Sequence, residues 1–179
     1  MGLARRVELI EEMIYSMTDA PGELYALKCD MSEENQILEA FAWVKENLGP
    51  ISVLINNAGF IRPTTLTGKR THSLTLLQLY VHAEGSTDEW RSTFDVNVIG
   101  LCICTREAVR SMRDNNIAGH IVHLGSIAGR YPVMMPTPVI NVYSATKYAV
   151  TALTENLRQE LNFHKTGIKI SVSVYVVLT

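Results

Sequence analysis

The chain has 179 residues, of which 47% are hydrophobic and 19% are charged, and this balance predicts one folded domain with a substantial core. A net charge of -2 and a pI near 6.2 provide no positive field for nucleic acid, so we expect no nucleic-acid partner. The three cysteines have no C-x-x-C spacing, which argues against a disulfide framework and a zinc site. No apolar run reaches the ~18 residues that a membrane span requires. We therefore expect a cytoplasmic protein without a bound metal.

Helices and strands alternate in the amino-terminal part of the chain. Apolar residues from Leu9 to Met17 recur at helical spacing, and "PGEL" separates this helix from a short strand in "LYALKCD". Ser32 is a candidate N-cap for a second amphipathic helix, which we expect to end at Gly49 and Pro50. The segment "ISVLINNAG" is then predicted to form another strand.

The same alternation continues in the carboxyl-terminal part. Ser86 and Glu89 form a capping box for a long helix that extends through Leu101, and "GHIVHLGS" follows as a buried strand. A further helix starts near Tyr143 and passes Leu161, before the β-branched segment "IKISVSVYVV" forms a final strand. Because the strands are nearly continuous apolar runs, the pattern predicts an α/β fold, a doubly wound parallel sheet with helices on both faces.

Residues Lys69 to Gly85, "KRTHSLTLLQLYVHAEG", have no structural partner in this alternating pattern. They form an insert between the loop after "NNAG" and the Ser86 cap. Loops that follow the carboxyl ends of strands carry function in such sheets. We therefore interpret the insert as a loop or lid on the substrate side.

The segment "YSATK" places two polar side chains on one helix at a spacing that permits catalysis. Residues four apart share a helix face, so Tyr143 and Lys147 can point into the same site. A nearby ammonium favours the phenolate, and a tyrosine tuned in this way can exchange a proton with a carbonyl or alcohol oxygen. Such a pair also occurs by chance in many helices, so the spacing alone leaves an ordinary helical turn open.

Three other positions have candidate roles. Ser126 lies just past the end of a predicted buried strand, where side chains of open α/β sheets meet ligands, although such a serine is also common in turns. The small residues of "NNAG", Asn56 to Gly59, either let the backbone approach a ligand closely or form a turn. Asn97 lies inside a predicted helix, where asparagine is a mediocre helix former, so it has either a specific hydrogen bond or an ordinary surface position.

Taken together and in this order, "NNAG", the asparagine of "DVNVIG", the serine of "GSIAG" and "YSATK" resemble the short-chain dehydrogenase/reductase family. The resemblance extends from "GLARR" to about Val174. The stretch "YSATKYAVTALTENLRQEL" is especially similar to the branch that contains insect farnesol dehydrogenase-like proteins and dehydrogenase/reductase family member 11. The resemblance implies a Rossmann-like, three-layer fold and an enzyme that interconverts a small alcohol and a carbonyl through hydride transfer with a nicotinamide cofactor.

A catalytic tetrad is implied by the same resemblance. Tyr143 would be the general acid/base, and Lys147 would favour its ionised form and hold the nicotinamide ribose. Ser126 would orient the substrate oxygen, and Asn97 would anchor a water that links Lys147 to solvent. The long helices that begin near Ser86 and Tyr143 would provide the surface of a homo-oligomer.

The choice of cofactor is predicted by the segment that meets the adenosine ribose in this family, where an acidic residue favours NAD and a basic one pairs with the 2′-phosphate of NADP. Arg5, with Arg6 as a second candidate, therefore favours NADP, although both also suit an exposed first helical turn. Asp30 matches the family's acid that contacts the adenine amino group. The loop near the adenosine ribose is matched by Asn57, Ala58 and Gly59.

Two parts of the family pattern have no counterpart in the sequence. The family begins with a strand and a T-G-x-x-x-G-x-G loop that holds the pyrophosphate, whereas this chain starts inside the second strand of the order 3-2-1-4-5-6. The family also continues past the last strand with a "PG" loop and substrate-binding residues, whereas this chain ends in "VYVVLT". We therefore expect residues 1–179 to be one incomplete, truncated dinucleotide-binding domain. The alternative is an inactive, misassembled product of such a gene that at most associates with a full-length relative.

Overall fold

The computed structural model describes residues 1–17, 19–63, 65–66, 85–131 and 140–175, in which helices and strands alternate as predicted. Residues 69–84 of the insert and residues 176–179 lie outside these ranges, so the lid stays a prediction. None of the helices in the described ranges has the length and the hydropathy to cross a membrane. The elements are β1 (Gly2–Ala4), α1 (Glu8–Ser16), β2 (Ala26–Lys28), α2 (Glu34–Asn47), β3 (Val53–Asn56), α3 (Thr87–Phe94), a π-helix (Asp95–Gly100), α4 (Leu101–Asp114), β4 (His120–Ser126), a 3₁₀-helix (Ile127–Gly129), α5 (Asn141–Phe163) and β5 (Lys169–Tyr175).

The starts of two helices test the capping predictions. At α3, the Ser86 Oγ accepts a hydrogen bond from the Glu89 N–H at 3.2 Å, and the Glu89 carboxylate accepts one from the Ser86 N–H, so the capping box is confirmed. The prediction that Ser32 caps α2 is wrong, because Glu33 occupies the N-cap position and forms no side-chain cap. The N–H and the hydroxyl of Ser32 instead donate to the carboxylate of Asp30, which forms a local turn after β2.

One continuous helical run joins α3, the π-helix and α4, in the region where the sequence predicts a long helix. The π-helix, "DVNVIG", is not predicted by the periodicity. Its widened turn buries Asn97, Val98 and Gly100. Single π-turns inside α-helices are frequent at functional sites, and Asn97 lies within this one.

The five strands of the described residues form two parallel sheets. β1 pairs with β2, with Leu3 opposite Leu27, whereas β4 lies between β3 and β5, with Ile121 opposite Leu54 and Ile170. Parallel strands connected through helices are the predicted doubly wound α/β architecture. In the order 3-2-1-4-5-6, β1 and β2 correspond to strands 2 and 3, and β3, β4 and β5 correspond to strands 4, 5 and 6, so the break between β1 and β3 falls at the position of strand 1.

Two apolar clusters attach the helices to the sheets. Met112 of α4 and Ile121 of β4 belong to the first cluster, which also includes residues of α5 and β5. The second cluster contains Ile37 of α2, Cys29 directly after β2 and residues of α4, and both Leu3 from β1 and Leu54 from β3 pack against it. The second cluster therefore holds the two sheets together, and each large apolar side chain buried there contributes about 1.5–3 kcal/mol.

The three cysteines are free thiols, in agreement with the absence of a predicted disulfide framework. Cys29 and Cys104 lie in the second cluster, and burial raises the pKa of Cys29 to about 11 and that of Cys104 to about 12. Both therefore stay protonated at neutral pH and pack as small apolar side chains.

Candidate active site

The carboxyl ends of β3 and β4 and the first turns of α5 meet at one edge of the sheet. The loop Asn57–Gly59 follows β3, Ser126 ends β4, and Tyr143 and Lys147 lie near the start of α5. Helix α5 packs against both the π-helix and the 3₁₀-helix that follows β4. This is the edge at which open α/β sheets bind ligands.

Asn97 holds the loop after β3 in place. Its Oδ1 accepts from the Phe60 N–H at 3.0 Å, while its Nδ2 donates to the Phe60 carbonyl at 2.9 Å and to the Thr146 hydroxyl at 3.1 Å. Thr146 in turn donates to the Tyr143 carbonyl at 2.7 Å. The buried amide therefore uses an acceptor and both donors to tie the loop to the first turn of α5. The anchoring of a water by Asn97 stays a prediction.

The ammonium of Lys147 lies between the end of β4, the loop after β3 and the ring of Tyr143. It donates to the Leu124 carbonyl at 2.8 Å and lies 5.7 Å from the centre of the Tyr143 ring. A Cβ at Gly59 would lie 3.8 Å from Nζ and 3.3 Å from the Oδ1 of Asn97, so the loop backbone packs closely against both groups and a larger residue would crowd the Asn97 amide. The Lys147 side chain is only 7% exposed, and this burial lowers its pKa.

Ser126 ends β4 and starts the 3₁₀-helix. Its Oγ accepts a hydrogen bond from the Ala128 N–H at 3.2 Å, which fixes the side chain at the edge of the sheet. A hydroxyl that accepts one bond still has a proton to donate, which suits contact with a ligand oxygen. Gly129 closes this turn against α5, since a Cβ there would lie 2.4 Å from the Lys147 carbonyl.

Arg5 and Asp30 follow β1 and β2 in the two-stranded sheet. The Arg5 guanidinium lies 3.9 Å from the Asp30 carboxylate, and their side chains are 65% and 27% exposed. Partial burial opposes the ionisation of Asp30, but hydrogen bonds from Ser32 and the charge of Arg5 outweigh it and lower the pKa of the carboxyl. Because this ion pair is long and exposed, it leaves the Arg5 guanidinium accessible to a ligand. Arg6 is exposed beside it.

Three partners in this site are absent from the sequence-based prediction. The Phe60 backbone and the Leu124 carbonyl hold Asn97 and Lys147, and backbone atoms have no residue type by which a sequence identifies them. Thr146 is the third, and a signal for it existed. It lies inside "YSATK", one position before Lys147, where a buried threonine on the inner face of the helix has to find a hydrogen-bond partner.

The described residues fit the two ribose ends of a dinucleotide. The small residues of the loop Asn57–Gly59 are exposed, and Lys147 beside them has ammonium donors beyond the one that Leu124 accepts. Arg5 suits a phosphate because its guanidinium is exposed and forked.

Comparisons with known proteins show the family of the chain. The family model described as short chain dehydrogenase matches residues 1–178. The chain is 44% identical over 172 residues to dehydrogenase/reductase SDR family member 11 of Gallus gallus. This alignment covers 94% of the chain and 60% of the relative. It is 38% identical over 181 residues to the farnesol dehydrogenase of Aedes aegypti, with 100% of this chain and 67% of that protein covered.

A solved structure extends the similarity to three dimensions. The short chain dehydrogenase/reductase from Burkholderia phymatum in complex with NAD superposes with a TM-score of 0.80 at 25% identity. The superposition covers 96% of this chain and 54% of that chain. The chain thus spans 60% of the length of its Gallus gallus relative and about half of this solved structure.

Proposed function

Because the chain belongs to the short-chain dehydrogenase family, we propose that it carries the catalytic centre of an NADP-dependent oxidoreductase that interconverts an alcohol and a carbonyl compound. One observation supports this most strongly. The buried ammonium of Lys147 lies 5.7 Å from the centre of the Tyr143 ring and beside the solvent-exposed loop residue Gly59. A phenol, a buried cation and space for a ligand are the components that proton exchange with a substrate oxygen requires.

The side chains of this site handle the proton, while a bound nicotinamide cofactor would supply or accept the hydride. In carbonyl reduction, the Tyr143 phenol donates its proton to the carbonyl oxygen, and in alcohol oxidation the phenolate takes the proton back. Ser126 donates a hydrogen bond to the same substrate oxygen and holds it within reach of the phenol.

Two further groups position the reacting parts. Asn97 and Thr146 connect the loop after β3 to the Tyr143 turn, so a ligand on the loop and the phenol keep a fixed separation. Lys147, anchored on the Leu124 carbonyl, directs its other donors toward the hydroxyls of a nicotinamide ribose. Asn97 would also anchor the water that links Lys147 to solvent, as the resemblance to the family implies.

We assign NADP as the cofactor on the basis of Arg5. The guanidinium is exposed at the end of β1 and presents a fork of donors that matches a 2′-phosphate. Arg6 is the second candidate for the same contact. Asp30 and the loop Asn57–Gly59 would contact the adenine amino group and the adenosine ribose.

The substrate that we propose is a small alcohol or ketone similar to farnesol. The names of two relatives support it, since one is a farnesol dehydrogenase and the other a dehydrogenase/reductase. We further propose a cytoplasmic location and a homo-oligomer. The oligomer would form through the helical run that begins after Ser86, which comprises α3, the π-helix and α4, and through α5, because these long helices resemble the association surface of the family.

An extended version of the chain tests the proposal. It carries, ahead of Met1, a strand, a T-G-x-x-x-G-x-G loop and a helix of the kind with which the family begins. We expect this extended version to oxidise NADPH in the presence of a farnesal-type aldehyde or a ketone, and Ser126→Ala to slow that reaction because the substrate oxygen loses a donor. Binding of NADPH without turnover of any carbonyl in such a panel would refute the proposed activity.

A further inference from the structure

His123 is a buried histidine of β4 that the proposed mechanism does not use. It is 1% exposed and lies in the middle strand of the three-stranded sheet. Its Nε2 lies 3.2 Å from the Thr105 hydroxyl on α4, and its Nδ1 lies 2.9 Å from the Thr154 hydroxyl on α5. A neutral imidazole has one donor and one acceptor, so these two threonines determine which nitrogen carries the proton.

On the α5 side, the hydroxyl of Thr154 has already given its proton to the backbone. It donates to the Val150 carbonyl, one turn earlier, at 2.7 Å. Because a hydroxyl has a single proton, Thr154 accepts in its contact with His123. The proton of the imidazole therefore lies on Nδ1.

On the β3 side, the hydrogen bonds of Asn56 and Thr105 agree with a proton on Nδ1 of His123. The amide of Asn56 donates through Nδ2 to the Thr105 hydroxyl at 2.9 Å. Thr105 keeps its own proton for Nε2 of His123, which is the acceptor in the tautomer that Thr154 requires. The four side chains thus form a directional chain of hydrogen bonds that runs from Asn56 through Thr105 and His123 to Thr154.

This network of hydrogen bonds begins beside the candidate active site and ends on the Lys147 face of α5. Asn56 directly precedes the loop Asn57–Gly59 and is the register partner of His123. The residue after His123, Leu124, accepts the hydrogen bond of Lys147. Thr154 lies about two helical turns after Lys147 on the same face of α5.

The surroundings of the ring favour its neutral form. His123 lies at the floor of a groove of about 790 Å³ between α4 and α5. Burial lowers the pKa of His123 to about 4, so the ring is neutral at physiological pH. A protonated ring would have two donors and no acceptor, so the Thr105 hydroxyl could no longer donate to it and the sequence of hydrogen bonds would be interrupted. The charged residues that line the groove are Arg106, Arg110, Arg113 and Asp114 on α4 and Glu160 on α5.

We propose that Asn56, Thr105, His123 and Thr154 act together as positioning residues. They hold the loop Asn57–Gly59 at a fixed position relative to the Lys147 face of α5. Loss of the Thr154 hydroxyl would leave the buried Nδ1–H of His123 without an acceptor. The imidazole avoids this cost when its proton lies on Nε2 instead. Thr105 then loses its acceptor, and the amide of Asn56 loses its fixed partner. The cofactor contact of the loop rests on the proposed function, whereas the order of the hydrogen bonds does not.

Nitrogen NMR of the His123 imidazole tests the order directly. At neutral pH, Nδ1 is expected to carry the proton and Nε2 to be unprotonated. A ring protonated on Nε2, or on both nitrogens, would overturn the proposal. Where the 179-residue chain gives a poorly dispersed spectrum, the same measurement is made on the extended version.

Thr154→Val removes the hydroxyl and keeps the shape, and Thr93→Val is its matched control. Thr93 is also buried, at 2% exposed, and its hydroxyl also donates to the carbonyl four residues earlier. We expect Thr154→Val to move the His123 proton to Nε2 and to shift the amide signals of residues 57–59, and Thr93→Val to change neither. Thr154→Ser keeps the hydroxyl and should preserve the parent tautomer. Equal shifts in the two valine variants would show general loosening and overturn the proposal.

Titration with NADPH connects the network to the proposed function. In the extended version, Thr154→Val should raise the Kd about three- to tenfold, while Thr93→Val and Thr154→Ser stay within about twofold of the parent. An unchanged Kd in Thr154→Val, despite an altered tautomer, would overturn the positioning role. If the parent itself does not bind NADPH, the proposed function fails, and the amide signals of residues 57–59 alone decide whether the network positions the loop.

Discussion

The two cations that we assign to the cofactor have opposite environments. Arg5 is largely exposed, so solvent screens its charge and it contributes mainly to the choice between ligands. Lys147 lies under the Leu124 carbonyl and the Tyr143 ring, where a charge acts at short range in a medium of low dielectric constant. Substitution of Arg5 should therefore change which cofactor is used, and substitution of Lys147 should change turnover.

Arg5→Asp in the extended version is expected to shift the preference from NADP toward NAD by about 10- to 100-fold. The change removes a charge-assisted contact of roughly 1.5–3 kcal/mol and places an acid where the 2′-phosphate would lie. The measurement is the ratio of kcat/KM for NADPH and NADH. Arg6→Asp makes the same change of charge at the second candidate, so the comparison decides which of the two arginines makes the contact. An equal shift in both variants would remove the assignment to Arg5.

The neutral state of His123 should make the fold sensitive to mild acid. Its pKa of about 4 in the folded chain lies below the ~6.5 of an unfolded histidine, so only the unfolded chain binds a proton as the pH falls from ~6.5. The free energy of unfolding should be constant above pH ~6.5 and fall by about 2 kcal/mol by pH ~5, before most carboxylates titrate.

Denaturant titrations at several pH values measure this loss. His123→Asn should abolish most of it, because the variant has no imidazole to protonate. His164→Asn, at the exposed end of α5, should retain it. If the free energy of unfolding of the parent protein stays constant between pH ~6.5 and ~5, this explanation is wrong.

Among the elements, those that follow from local periodicity were predictable. The alternation of helices and strands and the Ser86 capping box depend on residues a few positions apart, and both are confirmed. The π-helix was not predictable, because its Asn97 bonds to Phe60 and Thr146, which are 37 and 49 residues away. The Ser32 cap failed because Asp30 accepts from the Ser32 hydroxyl and N–H before a helix can use them.

The candidate site likewise has a part that was predictable from the sequence and a part that was not. Its side chains were identified through the order of short motifs, whereas their contacts required the fold. The ammonium of Lys147 and the amide of Asn97 bond to backbone atoms of Leu124 and Phe60, and such atoms are present in every residue. The hydrogen-bonded threonines around His123 likewise come together only through the packing of α4 and α5 on β4.

The contact between the 3₁₀-helix and α5 depends on Gly129. Because an added Cβ would lie 2.4 Å from the Lys147 carbonyl, Gly129→Ala should push the two helices apart and lower the free energy of unfolding by about 1–3 kcal/mol. Gly22→Ala is the matched control, since nothing lies within 4 Å of a Cβ at that position, and it should change stability by less than about 0.5 kcal/mol. Denaturant titration measures both, and similar losses in the two variants would contradict the close-contact explanation.

At the scale of the molecule, the two sheets of the described residues are connected through helices and not through strands. β1 and β3 are edge strands of the described residues, and Val53 and Ile55 of β3 are 56% and 60% exposed. Exposed apolar edge strands are normally covered or paired in native proteins. The apolar contacts of α2 and α4 are therefore the main link between the halves of the fold.

A strand that pairs with both edges should stabilise the molecule. We expect the extended version to melt several degrees above residues 1–179, because each 1 kcal/mol of stability raises the Tm by about 2–4 °C in a protein of this size. It should also bind NADPH more tightly, because its loop supplies backbone N–H groups for the pyrophosphate. Thermal melts and calorimetric titration of both versions measure this, and equal Tm and equal affinity would show that the edges and the loop matter little.

The most direct measurement of the proposed function is the turnover of Tyr143→Phe in the extended version, taken together with its affinity for NADPH. The phenol transfers the proton, so turnover should fall by ~10²–10⁴-fold, while the Kd for NADPH stays within about twofold because binding is spread over other groups. Tyr148→Phe, at a tyrosine of the same helix that is 43% exposed, should behave as the parent. A Tyr143→Phe variant that turns over within a few-fold of the parent would contradict the role of Tyr143 and, with it, the proposed mechanism.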